Sequence, residues 1–356
     1  MTIRIGINGF GRIGRLVLRG IRETGRSDFQ LVAVNDLGSA EANAKLLRHD
    51  SVHGRFPGEV STTEGAIDIG DGPIAVLSEK DPGRLPWRDM GIDIAFECSG
   101  KFRSRDLAAR HLDAGASRVL VSAPSDGADL TVVYGVNHEK LRTEHRIVSN
   151  GSCTTNCVAP IAATLHDAIG IHTGSIVTAH GYTGDQNLLD GLHKDPRRGR
   201  AAGISMIPST TGAAKAVGQV LPHLEGRLDG MALRVPVPNV SVVYFTFQAA
   251  RDTSVGEIHD CMRVAAKGNL AGILGYEDEP LVSVDFNHNP YSAVYDENGT
   301  RVIGGRLCTV MVWYDNEWAF ALRMLDTGAA MAALDATAKS RSRAVNTGGQ
   351  PDASAI

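Results

Sequence analysis

A chain of 356 residues predicts an α/β protein of two units: a parallel, doubly wound sheet first, then an α+β unit with a mainly antiparallel sheet. Three observations carry this. The length exceeds the usual ceiling of one hydrophobic core. The N-terminal stretch alternates short apolar strands with helical patterns, as parallel β–α–β units do. Beyond residue 152 the strands lengthen and alternate apolar with polar residues, which marks a sheet covered on one face.

In chain order, Ile3-Arg4-Ile5-Gly6-Ile7 reads as a strand and runs into Asn8-Gly9-Phe10-Gly11-Arg12-Ile13-Gly14. Residues 15–22 read as an amphipathic helix and 29–34 as the next strand, ending at Asn35-Asp36. Gly9, Gly11 and Gly14 permit a tight turn and close approach of a pyrophosphate, the helix N-terminus binds it, and Asp36 meets a ribose hydroxyl pair. A glycine pattern alone says little. Inside a strand–turn–helix–strand unit that closes on an acid, it predicts a Rossmann dinucleotide site. Strands at 92–97 and 118–122, with a helix over 105–114 between them, continue the parallel sheet to about residue 150.

The second unit opens with one helix after Cys153. Strands follow at 174–180, 231–235, 241–249 and 308–314, and residues 318–334 are again helical in pattern. From Asp335 to the end the chain is Ala, Ser, Thr, Gly and charge, with little to bury, so residues 335–356 read as a disordered tail. The expected division is therefore 1–152, 153–318 and 319–334, then the tail.

The segment Ser149-Asn150-Gly151-Ser152-Cys153-Thr154-Thr155-Asn156-Cys157 carries the chemistry. It sets a thiol at a loop-to-helix junction, with an apolar helical run directly after it. Backbone N–H groups at a helix start favour negative charge, so a thiolate at Cys153 is expected to be stabilised. Ser152, Thr154, Thr155 and Asn156 add hydrogen-bonding groups around it. Attack on a carbonyl followed by stabilisation of the oxyanion suits this setting.

Composition narrows the rest. A net charge of −4, with 43% hydrophobic and 21% charged residues, is ordinary for a globular protein and points to neither nucleic acid nor a membrane surface. Arg197-Arg198-Gly199-Arg200 is the densest basic patch, adequate for one phosphate group. Five cysteines in a chain this long make no disulfide framework, and Cys153 and Cys157 lack companions at metal-ligand spacing, so no metal is expected. The N-terminus begins with a strand pattern and no apolar run reaches membrane-spanning length, which makes the cytoplasm the expected compartment.

These motifs together resemble the phosphorylating glyceraldehyde-3-phosphate dehydrogenases of the bacterial type, from Thr2 to about Leu334. The anchors are the glycine turn, residues 50–56, Ser152-Cys153-Thr154-Thr155-Asn156-Cys157, His180-Gly181-Tyr182-Thr183, residues 209–216, Arg234-Val235-Pro236-Val237-Pro238-Asn239-Val240 and Trp313-Tyr314-Asp315-Asn316-Glu317-Trp318. The resemblance implies Cys153 as nucleophile and His180 as its base. It implies that an aldehyde becomes a hemithioacetal, passes hydride to a nicotinamide, and leaves a thioester that inorganic phosphate cleaves. Two anion sites are then needed, and the matching positions are Ser152, Thr154, Thr183, Arg198, Thr211, Gly212 and Arg234. Gly9, Gly11, Arg12, Ile13, Gly14, Asp36, Lys80, Ser122 and Asn316 match cofactor contacts, Asn316 holding the nicotinamide amide. A carboxylate at Asp36 repels a 2′-phosphate, so NAD is the expected cofactor. The C-terminal helix is implied to pack back onto the first domain. The implied oligomer is a homotetramer in which the loop from Gly181 to Gly203 lies near a neighbour's cofactor.

The nearest rival is erythrose-4-phosphate dehydrogenase, which shares the nucleophile; Thr210-Thr211-Gly212-Ala213-Ala214-Lys215-Ala216 and Pro238 favour the three-carbon substrate. A catalytically quiet paralogue needs no nucleophile–base pair. Departures from the family pattern gather near the chemistry: Gly151, Ala179, Gly181, Pro196, Gly199 and Ala319, with Gly191-Leu192 where NAD-dependent relatives often carry proline. They raise the expectation of a looser or specialised site, one tolerant of thiol-alkylating inhibitors. Ala319 in particular requires a negative φ.

Overall fold

A computed structural model of the protein describes residues 2–347, those from 335 onward as helical backbone only. The first unit contains β1 (Ile3–Asn8), β2 (Phe29–Asn35), the small hairpin β3 (His49–Asp50) and β4 (Gly54–Arg55), β5 (Ser61–Thr63), β6 (Ala66–Asp68), β7 (Pro73–Leu77), β8 (Ile94–Glu97), β9 (Arg118–Val121), β10 (Leu130–Thr131) and β11 (Ile147–Ser149). All but the hairpin form one nine-stranded sheet in the order β10-β11-β9-β8-β1-β2-β7-β6-β5. From β10 to β7 every pairing is parallel. The sheet is not parallel throughout, however, because β5, β6 and β7 pair antiparallel at the edge. The connection between β6 and β7 is too short for a crossover and can only close a hairpin.

Helices α1 (Arg12–Glu23), α2 (Ala40–Arg48) and α3 (Arg105–Asp113) link these strands. Ile5, Ile7, Val34, Ile94 and Phe96 are buried in the middle of the sheet, which is why those strands read as near-continuous apolar runs. Ser39 and Ser104 cap α2 and α3 by accepting hydrogen bonds from backbone N–H groups three residues on.

The second unit begins with α4 (Cys153–Ile169). Its strands are β12 (Ile171–Gly181), β13 (Ile207–Thr210), β14 (Leu228–Val235), β15 (Ser241–Ala249), β16 (Leu274–Glu277), β17 (Ala293–Ile303) and β18 (Leu307–Tyr314), with α5 (Ala213–Val220) and α6 (Val255–Lys267) between them. The sheet order is β13-β14-β12-β15-β18-β17-β16. It is mainly antiparallel, with two parallel pairs, β12 with β14 and β16 with β17. Alternation along β15 sends Val243, Phe245 and Phe247 into a common core with Leu165 of α4, Val217 of α5 and Met262 of α6. The opposite face leaves Val177, Met231 and Tyr244 exposed.

The last helix, α7 (Trp318–Thr347), returns to the first sheet. Its Leu322, Leu325 and Met331 share a core with Leu16, Phe29 and Phe96. Residues 335–347, expected in a disordered tail, continue this helix. They are rich in Ala, Lys and Arg and contain no Gly or Pro to stop it; having little to bury does not prevent a helix that is already nucleated. The rest of the expected tail, 348–356, lies outside the described residues. Ala319 sits in the first turn of α7, and among the described residues only Val240 and His288 are non-glycine positions with positive φ, so the alanine is unstrained. No described helix is long and apolar enough to cross a membrane.

A polar clasp joins the two units. Arg12 of α1 forks onto Asp50 (2.6 Å) and Glu317 (2.5 Å). His53 bonds Glu317 at 3.1 Å and His288 at 2.9 Å, and His288 reaches Glu23 of α1 at 2.7 Å. The His288 ring stacks on Trp318 with centroids 3.8 Å apart. Burial alone would raise the Asp50 carboxyl, but hydrogen bonds from Arg12 and from the backbone N–H groups of Val52 and His53 outweigh it and hold the group at about 2. A folded-state value below the unfolded one means stability present above the unfolded pKa and lost as pH falls through about 2. Asp50→Asn is therefore expected to cost about 1–2 kcal/mol at neutral pH after allowance for solvent screening. The deficit should shrink as the medium is acidified below the unfolded aspartate pKa. Denaturant titrations of both proteins across that range check it; a deficit independent of pH would refute the ion-pair account.

Candidate active site

Local sequence explains the position of the thiol. Gly151 turns the chain from β11 into α4 with φ of +65°, a left-handed conformation that glycine adopts without Cβ strain. The departure to glycine at this position thus removes strain. Ser152 caps α4, its Oγ accepting from the Thr155 N–H at 3.0 Å. Cys153 is the first helical residue, where N–H groups lack intrahelical partners.

His180 comes from β12 and lies with Nε2 3.4 Å from the Cys153 Sγ. Its Nδ1 is 2.6 Å from the Gly181 carbonyl oxygen. That oxygen only accepts and calls for a proton on Nδ1, whereas a guanidinium donor at the same nitrogen calls for a lone pair there. Arg234 stands opposite His180 in the parallel register of β14. Its Nη1 is 2.9 Å from His180 Nδ1 and donates to Gly181 O at 3.1 Å and Thr183 Oγ1 at 3.3 Å. Burial, then the Arg234 charge, pushes the His180 pKa down to about 3. Burial also pushes the Cys153 thiol up, against the opposing pull of Arg234 and of hydrogen bonds at Thr154. Burial thus works against both charged forms, while Arg234 and the Thr154 hydrogen bonds favour negative charge on sulfur.

The candidate anion-binding groups divide. Thr183, Arg198 and Arg234 converge: Asp185 accepts from Thr183 Oγ1 and pairs with Arg198 at 2.7 Å. Arg198 Nε also donates to Ser209 Oγ at 2.8 Å. Arg234, which in isolation reads as a surface charge, is half-buried here, and its Nε is buried with no partner. Thr154 turns its hydroxyl to Tyr314 at 2.9 Å. Thr211 and Gly212 start α5 at the far end of β13 from Ile207, the residue paired with Arg234. They make no hydrogen bond to the Cys153 group, and Gly212 borders open space.

Three supporting residues escape sequence reasoning. Tyr314 OH bridges Thr154 and Thr178, each at 2.9 Å, and its ring meets His180 edge-on. Ser241 Oγ donates to Asn316 Oδ1 at 2.8 Å and accepts from the Gly181 N–H at 3.1 Å, tying Asn316 to the His180 strand. Asp185 supplies the countercharge to Arg198. Only Tyr314 lies inside a motif the sequence singles out.

The remaining candidates surround a cleft of about 490 Å³ lined by Gly9, Gly11, Asp36, Lys80, Cys98 and Ser99, among others. At Gly9, with φ of +92°, a Cβ would lie 2.4 Å from the Ser99 nitrogen; at Gly14 it would lie 2.2 Å from Gly9 O. The turn therefore needs glycine, and at Gly11 the space is open. Asp36 is fixed at the end of β2 by N–H donors from Phe10 (3.0 Å) and Gly38 (3.2 Å). Ile13 and Gly14 lie in the first turn of α1, which has no side-chain cap. Ser122 reaches the cleft through a hydrogen bond to Cys98. The Arg12 guanidinium does not face a ligand; Asp50 and Glu317 take it, leaving the Arg12 backbone N–H for that role. This cradle fits a dinucleotide: open backbone at the pyrophosphate position, unmatched N–H groups at a helix start, and a carboxylate at the strand end. Among the described residues no His, Cys, Asp or Glu group could hold a metal ion.

A dinucleotide cleft and a thiol–imidazole pair in one chain fit an NAD-dependent oxidoreductase. Residues 3–105 match the family pattern described as glyceraldehyde 3-phosphate dehydrogenase, NAD binding domain, and residues 152–316 that described as its C-terminal domain. The glyceraldehyde-3-phosphate dehydrogenase of Xanthobacter flavus is 60% identical over 334 residues, 94% of this chain and 100% of the relative. That of Cereibacter sphaeroides is 58% identical over the same shares, and that of Pseudomonas aeruginosa 56% over 94% of this chain and 99% of the relative. The chain belongs to the glyceraldehyde-3-phosphate dehydrogenase family.

His180 is placed as the base for Cys153 by its Nε2 contact with the sulfur at 3.4 Å. His180→Asn should slow alkylation of Cys153 by iodoacetamide at neutral pH about 100-fold. Stopped-flow labelling measures this; an unchanged rate would refute the base assignment.

Proposed function

We propose that this chain catalyses the NAD-dependent phosphorylating oxidation of D-glyceraldehyde 3-phosphate to 1,3-bisphosphoglycerate. The observation that carries the reading is the contact of Cys153 with Nε2 of His180, beside the orphaned guanidinium nitrogen of Arg234. Cys153 sulfur attacks the aldehyde carbon while His180 Nε2 takes the thiol proton and passes it to the carbonyl oxygen, which becomes the hydroxyl of a hemithioacetal. N–H groups at the start of α4 suit the developing oxyanion. NAD, when bound, supplies the acceptor for the hydride that leaves this carbon. His180 then serves as base for the hemithioacetal hydroxyl proton, and the product on Cys153 is a thioester. Inorganic phosphate adds to the thioester carbon, the C–S bond breaks to release the acyl phosphate, and the Cys153 thiolate recovers the proton held by His180.

Arg198, Arg234 and Thr183 are the groups we assign to the phosphate groups, with Ser152, Thr154, Thr211 and Gly212 as further donors. Gly9, Gly11, Ile13, Gly14, Asp36, Lys80, Ser122 and Asn316, with the Arg12 backbone, are assigned to the cofactor. Residues 1–152 would form the NAD-binding domain and 153–318 the catalytic domain, with 319–334 as the returning helix.

Exposed apolar side chains that water does not favour support the proposed homotetramer. Leu188 and Leu189 are about four-fifths exposed and Leu192 fully so, all in the loop 181–203, and Met231 and Tyr244 lie on the open sheet face. A patch of this kind marks an interface. The reactants, a phosphorylated aldehyde and NAD, point to the cytoplasm.

NADH formation with glyceraldehyde 3-phosphate and with erythrose 4-phosphate, each with and without inorganic phosphate, tests the reading. Phosphate-dependent turnover favouring the three-carbon aldehyde is expected. Preference for erythrose 4-phosphate would overturn the substrate assignment, and silence with both would overturn the activity.

A further inference from the structure

Beneath the nucleotide cleft lies a buried polar network that the proposed chemistry does not use. Glu97 ends β8 directly beside Asn8 at the end of β1, and its side chain is 0% exposed. Among the described residues no Lys or Arg pairs with it. Four donors converge on the carboxylate instead. Oε2 accepts from Asn8 Nδ2 at 2.5 Å and from His111 Nε2 at 3.0 Å. Oε1 accepts from the Ser99 N–H at 2.8 Å and from Ser99 Oγ at 2.5 Å. The proton positions are fixed by elimination. The Trp87 indole is only a donor, and it donates to His111 Nδ1 at 3.0 Å. The imidazole proton therefore sits on Nε2 and points to Glu97, whose oxygens have all their lone pairs met.

The network continues outward to the cleft walls. Asn8 Oδ1 accepts from Asn35 Nδ2 at 2.7 Å; Asn35 also donates to Glu79 O and accepts from the Glu79 N–H, both at 2.8 Å. Asn8, Asn35, Glu79 and Ser99 each line the cleft, and their neighbours are Gly9, Asp36 and Lys80. One carboxylate thus ties together the glycine turn, the strand end that bears Asp36, the Lys80 segment and the Ser99 backbone. The tie is tight where it matters, since the Gly9 turn packs on the 98–99 backbone with no room for a Cβ.

We propose that Glu97 is the positioning residue of the nucleotide cleft, holding its walls at the separation that NAD requires without touching the cofactor itself. The proposal rests on the reading that this cleft takes NAD. Glu97→Gln keeps the shape but turns an NH₂ group toward donors, either Asn8 and His111 or the two Ser99 groups. Whichever way the amide lies, one wall loses its acceptor. A hydrogen bond to a buried charged group is worth enough that NAD binding should weaken about tenfold or more.

Calorimetric titration of the full-length protein with NAD reads this directly, with iodoacetamide labelling of Cys153 in the absence of cofactor as the control. Weaker NAD binding by E97Q with an unchanged labelling rate supports the proposal. Wild-type affinity in E97Q overturns it, and so does a parallel loss of NAD binding and of Cys153 labelling in a folded variant, which would mean a general structural role. If E97Q does not fold, Ser99→Ala decides: it keeps the carboxylate, removes one donor, and should weaken NAD binding about two- to fivefold. Unchanged affinity there overturns the proposal. Wild-type protein that binds no NAD would sink the cofactor reading itself, and this inference with it.

Discussion

The parallel register of β12 against β14 is the constraint on which the chemistry depends. It sets His180 opposite Arg234, so that a cation and an imidazole share one carbonyl, Gly181 O. A slip of one residue would turn His180 to the other face of the sheet. Tyr314 from β18 then meets His180 edge-on and ties Thr178 to Thr154, so the first turn of α4, and with it Cys153, is locked to the same sheet. The thiol–imidazole distance is thus the product of three strands and one helix start, each independently packed in the common core of the second unit.

That geometry also sets the electrostatics. Burial disfavours both the thiolate and the imidazolium, and Arg234 pushes the two groups in directions that differ in use: it opposes a charge on His180 and favours one on Cys153. The groups that would stabilise negative charge on sulfur are already in position. This is preorganisation for a charge that develops during reaction.

The segment 315–318 shows how tightly the two units are coupled. Asp315 accepts from the N–H groups of Glu317 and Trp318 at the start of α7 and from Asn239. Asn316 joins the Ser241 link to the His180 strand, Glu317 takes Arg12 from α1, and Trp318 stacks on His288. Four consecutive residues thereby anchor a helix, a candidate cofactor contact and the clasp between units. The side-chain oxygens of Asp315, Asn316 and Glu317 are buried and met by donors, the condition under which such a network stabilises a fold.

The elements themselves are largely legible in the sequence, because hydrophobic periodicity is local: β1, β2, β8, β9 and β15 follow from apolar runs or alternation, and the glycine turn with Asp36 announces the cleft. Motif residues such as Cys153, His180 and Arg234 can be selected the same way. What the sequence does not reveal is how groups far apart in number meet. Nothing local says that Arg12 spends its guanidinium on Asp50 and Glu317, that Tyr314 supports His180, or that Thr211 and Gly212 stand apart from the thiol. The edge hairpin of the first sheet and the two parallel pairs of the second likewise depend on chain connections rather than strand composition. The sequence by itself determined which residue types are available, which segments become strands and helices, and that a nucleophile begins a helix. Only the tertiary structure decided the burial and neighbours of that nucleophile and the partners of each buried charge, because desolvation and long-range hydrogen bonding exist only once the chain is packed.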